Sequence, residues 1–186
     1  MKIIQTKLQG CVIIEPRVFG DDRGFFLETF QANRYKDEVG IKLSFVQDNH
    51  SRSVKGVLRG LHFQKKKPQG KLVRVVRGEV YDVALDIRKG SPTFGEWEAV
   101  ILSEDNKKQF WIPPGFAHGF IVLSDTADFE YKCTDYYDPD DEVSVLWSDP
   151  DLGINWPKID VKLSAKDCNA LRLKDLSLEN LPKYDV

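Results

Sequence analysis

The stretch Glu79-Val80-Tyr81-Asp82-Val83-Ala84-Leu85-Asp86-Ile87 alternates with a period of two. Tyr81, Val83, Leu85 and Ile87 share one parity and Val80, Asp82, Ala84 and Asp86 the other, the pattern of a β-strand with one plainly apolar face. Comparable segments rich in Val, Ile, Phe and Tyr recur on both sides, separated by Gly, Pro, Asn and Asp clusters. They are residues 11–15, 24–30, 44–49, 57–64, 71–78, 97–103, 110–114, 118–124 and 129–137. So many short strands must close into a barrel or pair into a sandwich, because an open sheet would leave aggregation-prone edges. Only Gln31 to Val39 and the last thirty residues read as helical or irregular, and the tail from about Asp149 is expected to wrap the barrel.

The chain has 186 residues, with 41% hydrophobic and 30% charged, which predicts one soluble domain over residues 1–186 with a single core. With 27 basic against 29 acidic residues the net charge is −2, so no nucleic acid or anionic membrane is expected as a partner. No apolar run approaches the roughly 18 residues that cross a bilayer, and the start lacks the apolar core of a signal peptide, so a cytoplasmic protein is expected. Cys11, Cys133 and Cys168 are odd in number and widely spaced, which fits reduced, packing thiols better than disulfides or a zinc site.

Chemistry concentrates in Pro113-Pro114-Gly115-Phe116-Ala117-His118-Gly119. This P-x-G-x-x-H pattern resembles the second motif of the cupin superfamily, a jelly-roll barrel in which such a turn sets a histidine at the barrel mouth. The residues alone equally fit a Pro-Gly turn before a strand whose histidine packs in the core. The first cupin motif would bring H-x-H and a glutamate to hold a divalent metal. Here the corresponding stretch reads His62-Phe63-Gln64, and Lys71, with six residues between it and Gly78, stands where the carboxylate would be. A lysine repels a cation and a lost histidine removes a ligand, so no metal and no cofactor are expected. An ammonium in a pocket can instead stabilise negative charge growing on a substrate oxygen.

Parity allows His62 with Gln64, Lys71 with Val73 and Val75, His118 with Phe120, and Tyr131 with Phe129 to face one cavity. Arg59 has the opposite parity to His62, and a bulge at Gly60 between them would bring both to one face.

With those motifs in view, the chain resembles the dTDP-4-dehydrorhamnose 3,5-epimerase family, cupin-fold enzymes of dTDP-L-rhamnose synthesis. The resemblance runs through Asp22-Arg23-Gly24-Phe25-Phe26-Leu27-Glu28, Phe45-Val46-Gln47-Asp48-Asn49, Leu58-Arg59-Gly60-Leu61-His62-Phe63-Gln64, Gln69-Gly70-Lys71, Asp86-Ile87-Arg88, Pro114-Gly115-Phe116-Ala117-His118-Gly119-Phe120, Tyr131-Lys132-Cys133-Thr134, Trp156-Pro157 and Ser164-Ala165-Lys166-Asp167. It implies an all-β, cupin-type jelly-roll barrel with short peripheral helices and an irregular C-terminal tail.

It further implies a metal-free isomerase that inverts C3 and C5 of dTDP-4-dehydro-6-deoxy-D-glucose. His62 would be the general base, Tyr131 the general acid, Asp167 the carboxylate that orients His62, and Lys71 the cation beside the enolate oxygen. Substrate contacts are implied for Arg23, Glu28, Gln47, Asn49, Arg59, Lys71, His118, Glu142 and Lys166. The family is dimeric with an N-terminal strand that crosses to the partner, so a homodimer is expected in which Arg23 and Glu28 serve the neighbouring pocket.

Without the resemblance, Tyr131 would read as a core tyrosine and Asp167 as a helix cap or surface charge. His50 is not required by any of these motifs, and Lys65, Lys66 and Lys67 read as a solvated turn. Three other readings compete: an epimerase acting at C3 alone, a metal-dependent cupin enzyme, and a non-catalytic sugar-binding cupin.

Overall fold

The structure, a computed structural model, describes residues 1–184. Thirteen strands run through it: β1 Lys2–Gln5, β2 Val12–Glu15, β3 Val18–Asp21, β4 Gly24–Leu27, β5 Gln47–Val54, β6 Leu58–Gln64, β7 Lys71–Arg77, β8 Glu79–Asp86, β9 Trp97–Ser103, β10 Gln109–Ile112, β11 Phe116–Val122, β12 Thr126–Cys133 and β13 Glu142–Ser144. A six-stranded sheet in the order β1-β2-β10-β7-β12-β5 faces a five-stranded sheet in the order β13-β6-β11-β8-β9, and β3 and β4 form a separate hairpin. All pairings between the named strands are antiparallel. These two facing antiparallel sheets make the jelly-roll layering expected of a cupin-type barrel.

The core between the sheets gathers Val73, Val75, Val80, Ala84, Leu102, Phe110, Ile112, Phe120 and Phe129. Phe120 and Phe129 stack with ring centroids 4.1 Å apart. Losing a ring of this kind typically costs about 3–5 kcal/mol.

β8 corrects the simplest reading of its alternation. Val80, Asp82, Ala84 and Asp86 are as completely buried as Val83 and Leu85, because the five-stranded sheet is covered on both faces. Its inner face meets the other sheet, while Val83 and Leu85 pack beneath the tail through Leu152, Ile154, Trp156, Leu173, Leu176 and Leu181. Of the inward aspartates, Asp86 accepts from Arg88, Ser91 and Thr93, and Asp82 lies against His118. The tail thus wraps the barrel, as its proline-broken sequence predicts.

Three strands lie outside the expected set. β13 is only three residues long, too short to display a period, and β1 and β3 bury no residue, so nothing forces them to alternate. The segment expected to begin at Ser44 pairs only from Gln47 and runs on to Val54. Helical character falls where the sequence places it. α1 (Ala32–Arg34), capped by the Gln31 side chain, continues as a wider turn through Tyr35–Val39.

At Gly60 the register breaks as expected. His118 faces His62 across β11 and β6, but Phe120 faces Arg59, so one extra residue bulges from β6 and brings Arg59 onto the face of His62. Glycine is required at this point. Gly60 has φ +121°, and a Cβ on it would lie 2.5 Å from the Gly119 Cα.

Candidate active site

The bulge opens onto a cavity of about 620 Å³ between the two sheets. β5 supplies Gln47 and Asn49, β6 supplies Arg59 and His62, and β7 supplies Lys71. His118 comes from β11, Tyr131 from β12 and Glu142 from β13, while Ser164 and Asp167 arrive from the tail. Ten of the twelve residues singled out by sequence contact or line one space as a result: nine line it directly, and Lys166 stands at its rim through an ion pair with Glu142.

His62 is held tightly. Its Nε2 lies 2.6 Å from Asp167 Oδ1, and the Ser164 hydroxyl donates to Asp167 Oδ2 at 2.8 Å. Ser164 also caps the one-turn helix α2 (Ala165–Cys168), accepting from the Asp167 N–H, so one serine fixes both backbone and carboxylate. Burial pulls His62 below its ordinary pKa, against the opposing pull of Asp167. Burial pushes the Asp167 carboxyl up, but the bonds from His62 and Ser164 win and leave it below its usual value. At neutral pH the pair is therefore a neutral imidazole on an ionised carboxylate, with Nδ1 left as the basic nitrogen.

Across the cavity the Lys71 ammonium makes no salt bridge among the described residues. Burial lowers its pKa, while the charge of Asp82 supports the protonated form. Asp82 Oδ2 lies 2.8 Å from His118 Nε2, and Asp82 Oδ1 is buried with no hydrogen-bond partner among the described residues. Tyr131 packs beside Phe129, and burial raises its hydroxyl above the ordinary tyrosine value, which keeps it a proton donor at neutral pH. Cations, a base and an acid thus surround one space suited to a carbonyl compound whose neighbouring carbon loses a proton.

Arg23 and Glu28 are placed elsewhere. Arg23 lies in the β3–β4 turn, 89% exposed at its side chain and paired with Asp21, and Glu28 pairs with Arg34 in a separate depression. Neither reaches the cavity of its own chain. His50 also stays outside it, 3.5 Å from Asp128 on the outer surface. The lysine run forms a turn whose Lys66 and Lys67 N–H groups donate to Asp141.

Sequence reasoning missed Asp82, Ser164 and Tyr137. The only trace of Asp82 is an acid repeated inside an otherwise apolar strand, and of Ser164 a serine three residues before an aspartate at a helix start. Tyr137, whose hydroxyl donates to Glu142 Oε2 at 3.0 Å, sits in an irregular segment with no pattern to flag it.

Comparison with known proteins follows the same lines. A family model described as dTDP-4-dehydrorhamnose 3,5-epimerase matches residues 5–175. A dTDP-4-dehydrorhamnose 3,5-epimerase from Shigella flexneri is 55% identical, covering 94% of this chain and 97% of its own. The crystal structure of dTDP-6-deoxy-D-glucose-3,5-epimerase from Legionella pneumophila, in complex with dTDP-4-keto-L-rhamnose, aligns with a TM-score of 0.98 at 59% identity, covering 100% of this chain and 99% of that one. A 3'-monoepimerase from Streptomyces bikiniensis in complex with dTDP-quinovose aligns at 0.91 with 36% identity, covering 96% and 92%.

Proposed function

Because the chain belongs to the dTDP-4-dehydrorhamnose 3,5-epimerase family, we propose that its cavity inverts C3 and C5 of dTDP-4-dehydro-6-deoxy-D-glucose, giving dTDP-4-dehydro-L-rhamnose for dTDP-L-rhamnose synthesis. The observation that carries this reading is the His62–Asp167 pair at 2.6 Å, opening on a cavity that also holds Lys71 and Tyr131.

The C4 ketone of that sugar acidifies the hydrogens on both neighbouring carbons. His62 Nδ1 removes one of them, and Asp167 stabilises the imidazolium that forms. Charge develops on the ketone oxygen, where Lys71 and His118 face it. Tyr131 returns a proton to the opposite face of the carbon, and the centre is inverted. Lys71 carries the electrostatic role that a divalent metal fills in other cupins. Arg59 and Lys166 suit the diphosphate, and Gln47, Asn49 and Glu142 the remaining polar groups.

The chain acts as a homodimer in which Arg23 and Glu28 enter the partner's cavity. The β3–β4 hairpin supports this, since Phe19, Phe25 and Phe26 stand 51–70% exposed beside two charged residues that do not serve their own pocket. The cytoplasm is its compartment, a placement supported by three free thiols.

Incubation with dTDP-4-dehydro-6-deoxy-D-glucose in heavy water tests the reaction, with deuterium followed by NMR. Uptake at C3 and C5 is expected. Uptake at C3 alone would make the chain a monoepimerase, and none at either carbon would defeat the assignment.

A further inference from the structure

Under the proposed reaction each inversion leaves His62 with one proton more and Tyr131 with one fewer. A second inversion on the same sugar needs both groups reset. Two carboxylates flank the His62 ring: Asp167 Oδ1 is 2.6 Å from Nε2 and Glu142 Oε1 is 3.6 Å from Nδ1. They lead to different places. Asp167 is 2% exposed and its second oxygen is occupied by Ser164, so a proton passed to it has no exit. Glu142 accepts at its second oxygen from the Tyr137 hydroxyl and the Lys166 ammonium. Both of these groups reach water, Tyr137 being 50% exposed and the Lys166 side chain 45%.

We propose that Glu142 carries the proton of His62 to solvent between the two inversions, and so decides whether the sugar is inverted once or twice. This rests on the epimerase reading. At 3.6 Å the resting carboxylate lies outside hydrogen-bond range and leaves the Nδ1 lone pair free for the substrate. Once Nδ1 is protonated, attraction draws the carboxylate in. The N–H bond breaks as an O–H bond forms on Glu142, and the neutral acid then releases its proton to water at the cavity mouth. Tyr131, left as a phenolate, takes a proton from water, so the enzyme returns to its starting state with no net change in protons and no redox step. Burial, which outweighs the opposing pull of Asp167, makes the imidazolium a readier donor, and the nearby charges of Lys166 and Lys71 act in the same sense as burial.

The test compares Glu142→Gln, which removes the proton acceptor, with Glu142→Asp, which keeps a carboxylate. Each is mixed in excess with substrate in heavy water, quenched over one turnover, and the singly and doubly inverted sugars are separated by NMR. The Gln variant is expected to lower the ratio of second to first inversion rates about tenfold, with singly inverted sugar accumulating, and the Asp variant to restore double inversion. A wild-type ratio in the Gln variant would overturn the proposal, as would equal slowing of both inversions, which would reduce Glu142 to a substrate contact. Absence of deuterium at both carbons in the wild-type enzyme would instead remove the epimerase reading, and this proposal with it.

Discussion

His62 and His118 stand directly opposite each other on neighbouring antiparallel strands, yet each ring is held by its own carboxylate, Asp167 for the first and Asp82 for the second. The two histidines are not equivalent. His118 is 7% exposed, whereas the His62 side chain is 22% exposed and keeps a free nitrogen toward the cavity. Substituting His62→Ala should therefore reduce kcat by about 10²- to 10⁴-fold with little change in KM. Steady-state kinetics check this, and near-wild-type turnover would remove His62 from the role of base.

Asp167→Asn keeps the shape of the carboxylate but not its charge. In the native protein Asp167 raises the pKa of His62 against the larger effect of burial. Without that charge the imidazole should titrate lower still, so the acidic limb of the kcat/KM profile shifts to lower pH while its plateau falls. A limb that stays in place or moves upward would mean that another group sets it.

Gly60→Ala would put a methyl group 2.5 Å from the Gly119 Cα at a φ of +121°. A loss of more than about 2 kcal/mol in unfolding free energy is expected, together with reduced turnover from the displaced bulge. Urea titration with equal midpoints for variant and parent would show that the bulge tolerates a side chain.

Arg52 holds the Asp128 carboxyl down to a pKa of about 2, through a two-pronged contact at 2.6 and 2.8 Å. A carboxyl titrating lower in the folded than in the unfolded state stabilises the fold above its unfolded pKa of about 4, and that contribution disappears as pH falls toward 2. Asp128→Asn should lower Tm at pH 7, and the gap from wild type should narrow steadily below pH 4. A gap independent of pH would assign the effect to packing.

Arg23→Ala should raise KM while sparing kcat, because the arginine reaches no reacting atom of its own chain. Mixed dimers of Arg23→Ala with His62→Ala should regain activity if Arg23 works in the partner's cavity. No recovery beyond the two parent variants would return Arg23 to the protein surface.

Much of this architecture is legible in sequence because it rests on period and breakers. The strand that carries Tyr131 alternates, a Pro-Gly turn marks the start of the one that carries His118, and Gly60 marks its own bulge. What escaped depends on distance along the chain. Asp82 looks like an outward residue until the tail is known to cover the opposite face of β8. Nothing local ties Ser164 to a histidine about a hundred residues earlier. The positions of Arg23 and Glu28 are invisible to periodicity, since an exposed hairpin has no buried face to impose one.

That separation affects when the chain becomes competent. His62 and Asp167 are 105 residues apart, and the carboxylate arrives on the tail that packs over the five-stranded sheet. With the strands paired but this tail undocked, His62 would hold an unguided ring, so the base is oriented only once the outer face of the five-stranded sheet is covered. Docking of the tail and guidance of the base are thus one event.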